Sequence, residues 1–335
     1  MGYNLIILYG LLIIIILNNC FLHENYMNGI FIKKFRRHSW LNSFKKYSNN
    51  LVKIKSKSNL EYSNTITSII TSKILYNLGN KNTLSLFLKD KTYYPNTYIY
   101  DKYNKTLPNI QNNDIWFIKP FKEYGGKGIN IINNNETLKK NLYKKCLIQK
   151  GITNLYLFND YKGDFRVYYL VIFYNNTFSF YLYKDGLIKL AKNKYRNFSL
   201  DKSILITNTS QIKKNELPRS MLFDEKIKDY DILFNKIRIL LTDFSKEIVN
   251  KSQNHKSNYF LEYQLCGPDI IFDNKFNPYL FEINSRHPAY IMKKNIPEVK
   301  IMKKNISKIL VDKLFIPAIN KEKIELENYG FVKLL

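Results

Sequence analysis

Three oxygen-bearing side chains stand where they could share one ion. In NPYLFEINSRHP (277–288), Glu282 and Asn284 are two residues apart on a strand-like run, so alternation puts both on one face. Upstream, YQLCGPDIIFD carries Asp269 at the head of another apolar run. A turn at Asn274 would lay the two runs side by side as a hairpin, with the carboxylates as cross-strand neighbours. Adjacent carboxylates repel unless a cation lies between them. Mg²⁺ takes oxygen ligands, commonly one or two carboxylates with substrate phosphates completing the shell. Taken alone, the residues leave a solvent-facing pair as the alternative.

KPFKEYGGKG (119–128) could supply the phosphate side. Lys119 ends a strand, Gly125, Gly126 and Gly128 follow, and a second strand returns. Glycines admit positive φ and let backbone N–H groups approach phosphate, while the lysine adds a point charge. The loop is not a Walker A sequence, and no helix follows the glycines as a dinucleotide fingerprint requires. A glycine hairpin between strands can fold over a nucleotide as a lid; a plain β-turn is the alternative.

The positioning elements follow from periodicity. Ile66, Ile69, Ile70, Ile74, Leu75 and Leu78 recur at helical spacing, which predicts a helix over 61–90 ended by Gly79. Strands are expected at 114–120, 129–132 and 146–150, with a helix from Glu136 to Lys145. DFRVYYLVIFY reads as one long strand forming a hairpin with FSFYLY across NNT. Residues 225–250 form an amphipathic helix, and 297–313 a basic one. Pro268 inside a strand implies an edge or a bulge. Interleaved helices and hairpins make the class α+β.

The chain of 335 residues has 53 Lys and Arg against 27 Asp and Glu, a net charge of +26. Such a surface attracts anionic partners, and no aromatic–basic nucleic-acid motif is recognisable. Cys20, Cys146 and Cys266 have no metal-type spacing and read as reduced thiols. Leu5 to Leu17 is apolar, shorter than a membrane span and suited to a signal peptide or anchor. Residues 25–60 hold nine Lys and Arg and no acid, like a transit leader. The expected division is 1–22 signal or anchor, with membrane contact there; 23–60 basic leader or linker; 61–112 small N-terminal α/β piece; 113–295 main domain; and 296–335 basic helix and tail. Signal plus basic leader is similar to the two-part presequence of relict-plastid (apicoplast) proteins. The alternatives are a membrane-anchored protein, or a cytoplasmic one if the leader is idle.

Seven segments, in order, resemble the tubulin–tyrosine ligase-like family, whose members have the ATP-grasp fold. NKNTL with YYPNTYIY is similar to its Asn-Lys-x-x-Leu and Phe-Pro-x-Thr pieces, and WFIKPFKEYGGKGI to its lid. LIQKGI is similar to its hinge, and KGDFRVYYLV to Lys-Phe-Asp-Leu-Arg-Val-Tyr-Val-Leu-Val. LYKDGLIKLAKNKY, LITNTSQIKKN and YQLCGPDIIFD…PYLFEIN complete the series. The resemblance implies two α+β subdomains clasping ATP. It implies an ATP- and Mg²⁺-dependent ligase that activates a carboxylate as an acyl phosphate. The product would join an amino acid to an acidic protein tail such as the tubulin C-terminus, by tyrosination or glutamylation, with the enzyme a monomer. Alternatives are a non-tubulin acceptor or a non-catalytic nucleotide-binding relative.

By the same resemblance, Lys119, Gly125 and Gly126 hold phosphates, Gln149, Lys150 and Ile152 line adenine, and Lys162 and Asp164 contact base and ribose. Thr207 and Asn208 complete the nucleotide site. Asp269, Glu282 and Asn284 hold two Mg²⁺, Arg166 faces the γ-phosphate or the acyl phosphate, and Lys189 stands where the family has an Arg for a substrate carboxylate. The chain departs at Leu205, a family His; at Lys189, which loses bidentate geometry; at CGPD for FGFD; and at NSRHP, one residue longer than the family's Asn-x-x-Pro.

Overall fold

One strand organises the molecule. The computed structural model describes residues 70–335 apart from 124, 209–218, 286–287 and 289–295, together with 30–33, 43–44, 51–53 and 65–67. The expected signal or anchor, His287 and part of the basic stretch 293–304 lie outside the described residues.

Short strands β1 (Ile30–Lys33), β2 (Leu51–Lys53) and β3 (Thr65–Thr67) come first, then helices α1 (Lys73–Asn77) and α2 (Lys81–Leu88). The single helix expected over 61–90 is therefore a strand and two helices. The β-branched Thr-Ile-Thr pairs in parallel with the central strand, and tertiary pairing overrides the helical spacing. Strands β1 and β2 fall inside 23–60 and join the sheet through β3.

A four-stranded sheet follows, ordered β4 (Thr97–Tyr100), β7 (Cys146–Lys150), β5 (Trp116–Pro120), β6 (Asn130–Ile132). Helix α3 (Asn135–Lys140) covers it and is shorter than the expected 136–145. Its N-cap is Asn134, whose side-chain oxygen accepts from the Thr137 N–H at 2.8 Å.

Strands β8 (Leu157–Phe158) and β9 (Tyr161–Arg166) open the large sheet. A tight hairpin joins β10 (Tyr169–Tyr174) to β11 (Thr177–Tyr183); Asn175 and Asn176 both have positive φ, as a two-residue hairpin turn requires. β12 (Gly186–Leu190), α4 (Lys202–Leu205) and β13 (Ser220–Phe223) lead to the long helix α5 (Tyr230–Lys251). Then come the twelve-residue β14 (Leu261–Phe272), β15 (Pro278–Asn284), α6 (Pro297–Ile309) with a π-helical continuation (Leu310–Phe315), α7 (Ile316–Ile319), and β16 (Phe331–Lys333).

The first half of β14 pairs with β10, and its start with β3; the second half pairs with β9 and β15. This division explains why DFRVYYLVIFY is two strands and not one. The chain crosses from one flank to the next at Val167 and Tyr168, where the Val167 N–H donates to the Pro268 carbonyl at 3.2 Å. Pro268 has no N–H for the ladder. The register shift expected near it falls between Asp269 and Ile270.

The large sheet buries both faces. Leu170 and Ile172 pack with α6 and the π-helical turn, while Tyr169, Val171 and Phe173 pack with α1, α2 and the Leu233–Ile237–Leu241–Phe244–Ile248 face of α5. Helix α5 begins at Tyr230, later than the expected 225, after Asp229 in the left-handed region. No helix among the described residues is long and apolar enough to cross a membrane.

Candidate functional site

The site lies between the small sheet and the second half of β14. On β5, Trp116 and Ile118 face the small-sheet core with Ile132 and Ile148. Alternation turns Phe117 and Lys119 the other way, into the cleft. β7 adds Gln149 beside them, and the chain then crosses to the large sheet. The crossing is pinned on both sides: the Lys150 N–H donates to the Asn96 carbonyl at 2.8 Å and the Gly151 N–H to the Ile115 carbonyl at 2.7 Å.

The inner chamber is a cleft of about 680 Å³ that opens to solvent. Phe117, Ile129, Ile271 and Phe281 wall it. Eight residues expected to hold nucleotide line it: Lys119, Gln149, Lys150, Ile152, Lys162, Asp164, Thr207 and Asn208. Gln149 accepts from Lys119 Nζ at 2.5 Å and donates to Oγ1 of Thr97, its register partner on β4, at 2.9 Å. Asp164 is held by Lys162 at 2.5 Å and by the Thr207 hydroxyl.

The chamber runs into a charged end lined by Lys81, Lys119, Gly125, Gly126, Lys189, Asp269 and Glu282, among others. The glycine loop therefore roofs both carboxylates. Gly126 has φ +78°, and a Cβ there would lie 2.8 Å from Asn208 Oδ1, so only glycine lets the loop close this far. Asp269 and Glu282 are register partners across β14 and β15, as the hairpin predicted. Ile283 between Glu282 and Asn284 is buried in the opposite core.

Asp269 is 1% exposed and already paired. Arg166 donates from Nε to Oδ1 at 2.5 Å and from a terminal nitrogen to Oδ2 at 2.7 Å; Lys189 Nζ reaches Oδ2 at 2.9 Å. So Arg166 and Lys189, expected to face substrate groups, here face the carboxylate expected to bind metal. Burial pushes the Asp269 carboxyl up, but these two cations outweigh it and hold it below the usual range. Burial works against the Arg166 charge, and Asp269 more than restores it. Glu282 has no hydrogen bond or ion pair among the described residues. Asn284 donates to the Gly267 carbonyl at 3.3 Å and does not line the charged end.

Burial lowers Lys119 to about 8, partly offset by Glu282. Lys81 is lowered by burial too, against the pull of Glu282 and Glu123, and its Nζ donates to the Glu123 carbonyl at 2.5 Å. Sequence reasoning gave Lys81 no role. Its only signal was the resemblance of NKNTL to a family segment, and its approach to the glycine loop spans 42 residues.

Among the described residues no three His, Cys, Asp or Glu cluster as a metal site. Two carboxylates with one amide nearby fit a divalent ion that phosphate helps to ligate better than one held by protein alone.

The sequence profile of the tubulin-tyrosine ligase family matches residues 32–324. The chain is 28% identical over 198 residues to the tubulin polyglutamylase TTLL5 of Mus musculus, covering 50% of this chain and 14% of that protein. It is 26% identical over 220 residues to the tubulin polyglutamylase TTLL7 of Xenopus tropicalis, covering 57% and 24%. It is 25% identical over 199 residues to the tubulin glycylase 3F of Tetrahymena thermophila, covering 51% and 21%. The matched stretch spans a quarter or less of the length of these relatives.

Proposed function

The chain belongs to the tubulin–tyrosine ligase family, and on that premise we propose that it is an ATP- and Mg²⁺-dependent carboxylate–amine ligase of ATP-grasp architecture. Its product is an amino acid joined to an acidic polypeptide such as a tubulin tail. The observation that carries this reading is one continuous cleft: an apolar chamber opening onto a charged end where Asp269 and Glu282 lie under a glycine loop. The relatives' names favour glutamate or glycine as the amino acid transferred.

In this reading the base lies between Phe117, Ile129, Ile271 and Phe281 at the pinned crossing, and Asp164 meets the ribose. Lys119, Lys81 and the N–H groups of Gly125 and Gly126 draw the polyphosphate into the charged end. Mg²⁺, when bound, neutralises phosphate oxygens beside Asp269 and Glu282. An acceptor carboxylate oxygen attacks the γ-phosphorus, the bond from phosphorus to the β–γ bridging oxygen breaks, and ADP leaves. Arg166 and Lys189 balance the charge on the acyl phosphate. The amine nitrogen then attacks the acyl carbon, loses a proton, and inorganic phosphate departs. The net charge of +26 attracts an acidic acceptor.

A second reading, a nucleotide-binding relative without catalysis, draws on Lys189: it replaces an arginine and spends its charge on Asp269. Incubation of acidic peptides with ATP, Mg²⁺ and an amino-acid mixture, followed by mass spectrometry, separates the two. ATP-dependent mass gain that Glu282→Gln abolishes supports the ligase. ATP binding with no mass gain on any peptide supports the second reading.

A further inference from the structure

The charges around Asp269 set the order in which ligands can enter. Its two oxygens carry three bonds from two cations at 2.5, 2.7 and 2.9 Å. Glu282 beside it is open, yet Lys81, Lys119 and Arg166 all act on it. Four cations thus face these two carboxylates; Glu123 and Lys127, which also line the charged end, offset each other, and Asp164 is cancelled by Lys162, which leaves an excess of two positive charges. Arg166 is also confined. A Cβ at residue 267 would lie 2.7 Å from Arg166 Cδ, so the side chain lies directly over Gly267.

We propose that before nucleotide arrives this pocket is an anion site and not a cation site. It accepts a polyphosphate without metal, and a divalent ion gains its place only after phosphate oxygens draw Arg166 and Lys189 off Asp269. The inference deepens the ligase reading and rests on it for the identity of the polyphosphate as ATP. A bare divalent cation must expel two cations from a buried carboxylate and meets repulsion as it approaches. A phosphate oxyanion offers the same guanidinium and ammonium an equivalent partner, so the exchange costs little. Lys189 makes that exchange first, because an ammonium on a flexible stem repoints more readily than a bidentate guanidinium.

The test uses the full chain. Calorimetry follows ATP, and separately inorganic tripolyphosphate, in excess EDTA. Electron paramagnetic resonance follows Mn²⁺ with no nucleotide present. The expected result is binding of both metal-free anions, weakening as salt rises, and a free-ion Mn²⁺ spectrum until ATP is added. In Lys189→Gln, Mn²⁺ alone should bind at least about tenfold tighter than to the wild type, because one competing cation is gone. Stoichiometric Mn²⁺ binding to the unliganded wild type overturns the inference. So does ATP binding only as its metal complex, or a Lys189→Gln variant no better than wild type for Mn²⁺. Tripolyphosphate binding without ATP binding leaves the anion site standing and removes the nucleotide reading; no binding of any anion removes both.

Discussion

Asp269→Asn and Glu282→Gln remove neighbouring carboxylates from one site, yet their effects on stability should differ sharply. Asp269 is the counter-ion of two cations, and side-chain exposures of 14% for Arg166 and 6% for Lys189 leave them little water. Breaking a buried ion pair from one side costs about 3–5 kcal/mol. Arg166 keeps some contact with solvent, at 14% exposed, so the lower end applies, about 3 kcal/mol. For a chain of 335 residues, with an unfolding entropy of about 0.7 kcal/mol/K, that corresponds to a melting temperature lower by roughly 4 °C. Glu282 has no such bonds, and the lysines near it can lose a proton when it is neutralised, so Glu282→Gln should stay within about 1 kcal/mol of wild type. Urea unfolding followed by tryptophan fluorescence and by circular dichroism measures both. Equal destabilisation by the two variants, or an Asp269→Asn protein within about 1 kcal/mol of wild type, would refute the assignment of Asp269 as the buried counter-ion.

Gly126→Ala should weaken ATP about tenfold or more, because its Cβ meets Asn208 where the loop closes, and cost about 1–2 kcal/mol of stability, because residue 126 is left-handed; a fluorescent ATP analogue and urea unfolding read the two effects. Lys119 is lowered to about 8 in the free protein, and phosphate favours its charged form. ATP binding should therefore take up a proton near pH 8 and weaken as pH rises through that value, which calorimetry in two buffers of different ionisation enthalpy detects and Lys119→Met abolishes. The sign for folding is the reverse of a salt-bridged lysine: the lowered value costs stability below pH 8, and stability is regained as pH rises from about 8 toward the unfolded value of about 10.4. At the other end of β14, Glu262 accepts from Thr71 N–H at 2.9 Å, Thr71 Oγ1 at 2.6 Å and Ser257 Oγ at 2.7 Å, and pairs with His255 at 2.9 Å. Burial raises its carboxyl, but these partners hold it below the usual value, so its contribution is present above about pH 4.3 and lost as pH falls through the folded value. Glu262→Gln should cost about 2–4 kcal/mol in urea unfolding without changing ATP affinity.

Local alternation made the β14–β15 hairpin legible, and with it the pairing of Asp269 with Glu282. The glycine loop was legible because Lys119, Gly125, Gly126 and Gly128 fall within one short stretch of sequence. The ion pairs were not. Arg166 and Asp269 are 103 residues apart and Lys189 and Asp269 are 80 apart, and only the order of strands brings them together. The break at Val167 and Tyr168 was hidden for a similar reason: both sides have strand-forming residues, and the change of partner along β14 divides them. Thr65–Thr67 misled by periodicity, since Ile66 fits a helical spacing with Ile69 and Ile70 until a neighbouring strand is present. Nor was the setting of His255 legible: the Glu262 carboxylate and the ring of Phe173, 4.6 Å away, leave its side chain 7% exposed.

The pinned crossing at Lys150 and Gly151 gives the small sheet a lever's geometry. In any rotation about that crossing, a point moves in proportion to its distance from the axis. Whatever rests against Ile152 would scarcely shift, while the tip of the glycine loop would sweep the widest arc. In the proposed ligase, grip on the triphosphate would thus tighten or slacken through each turnover while the base kept its seat.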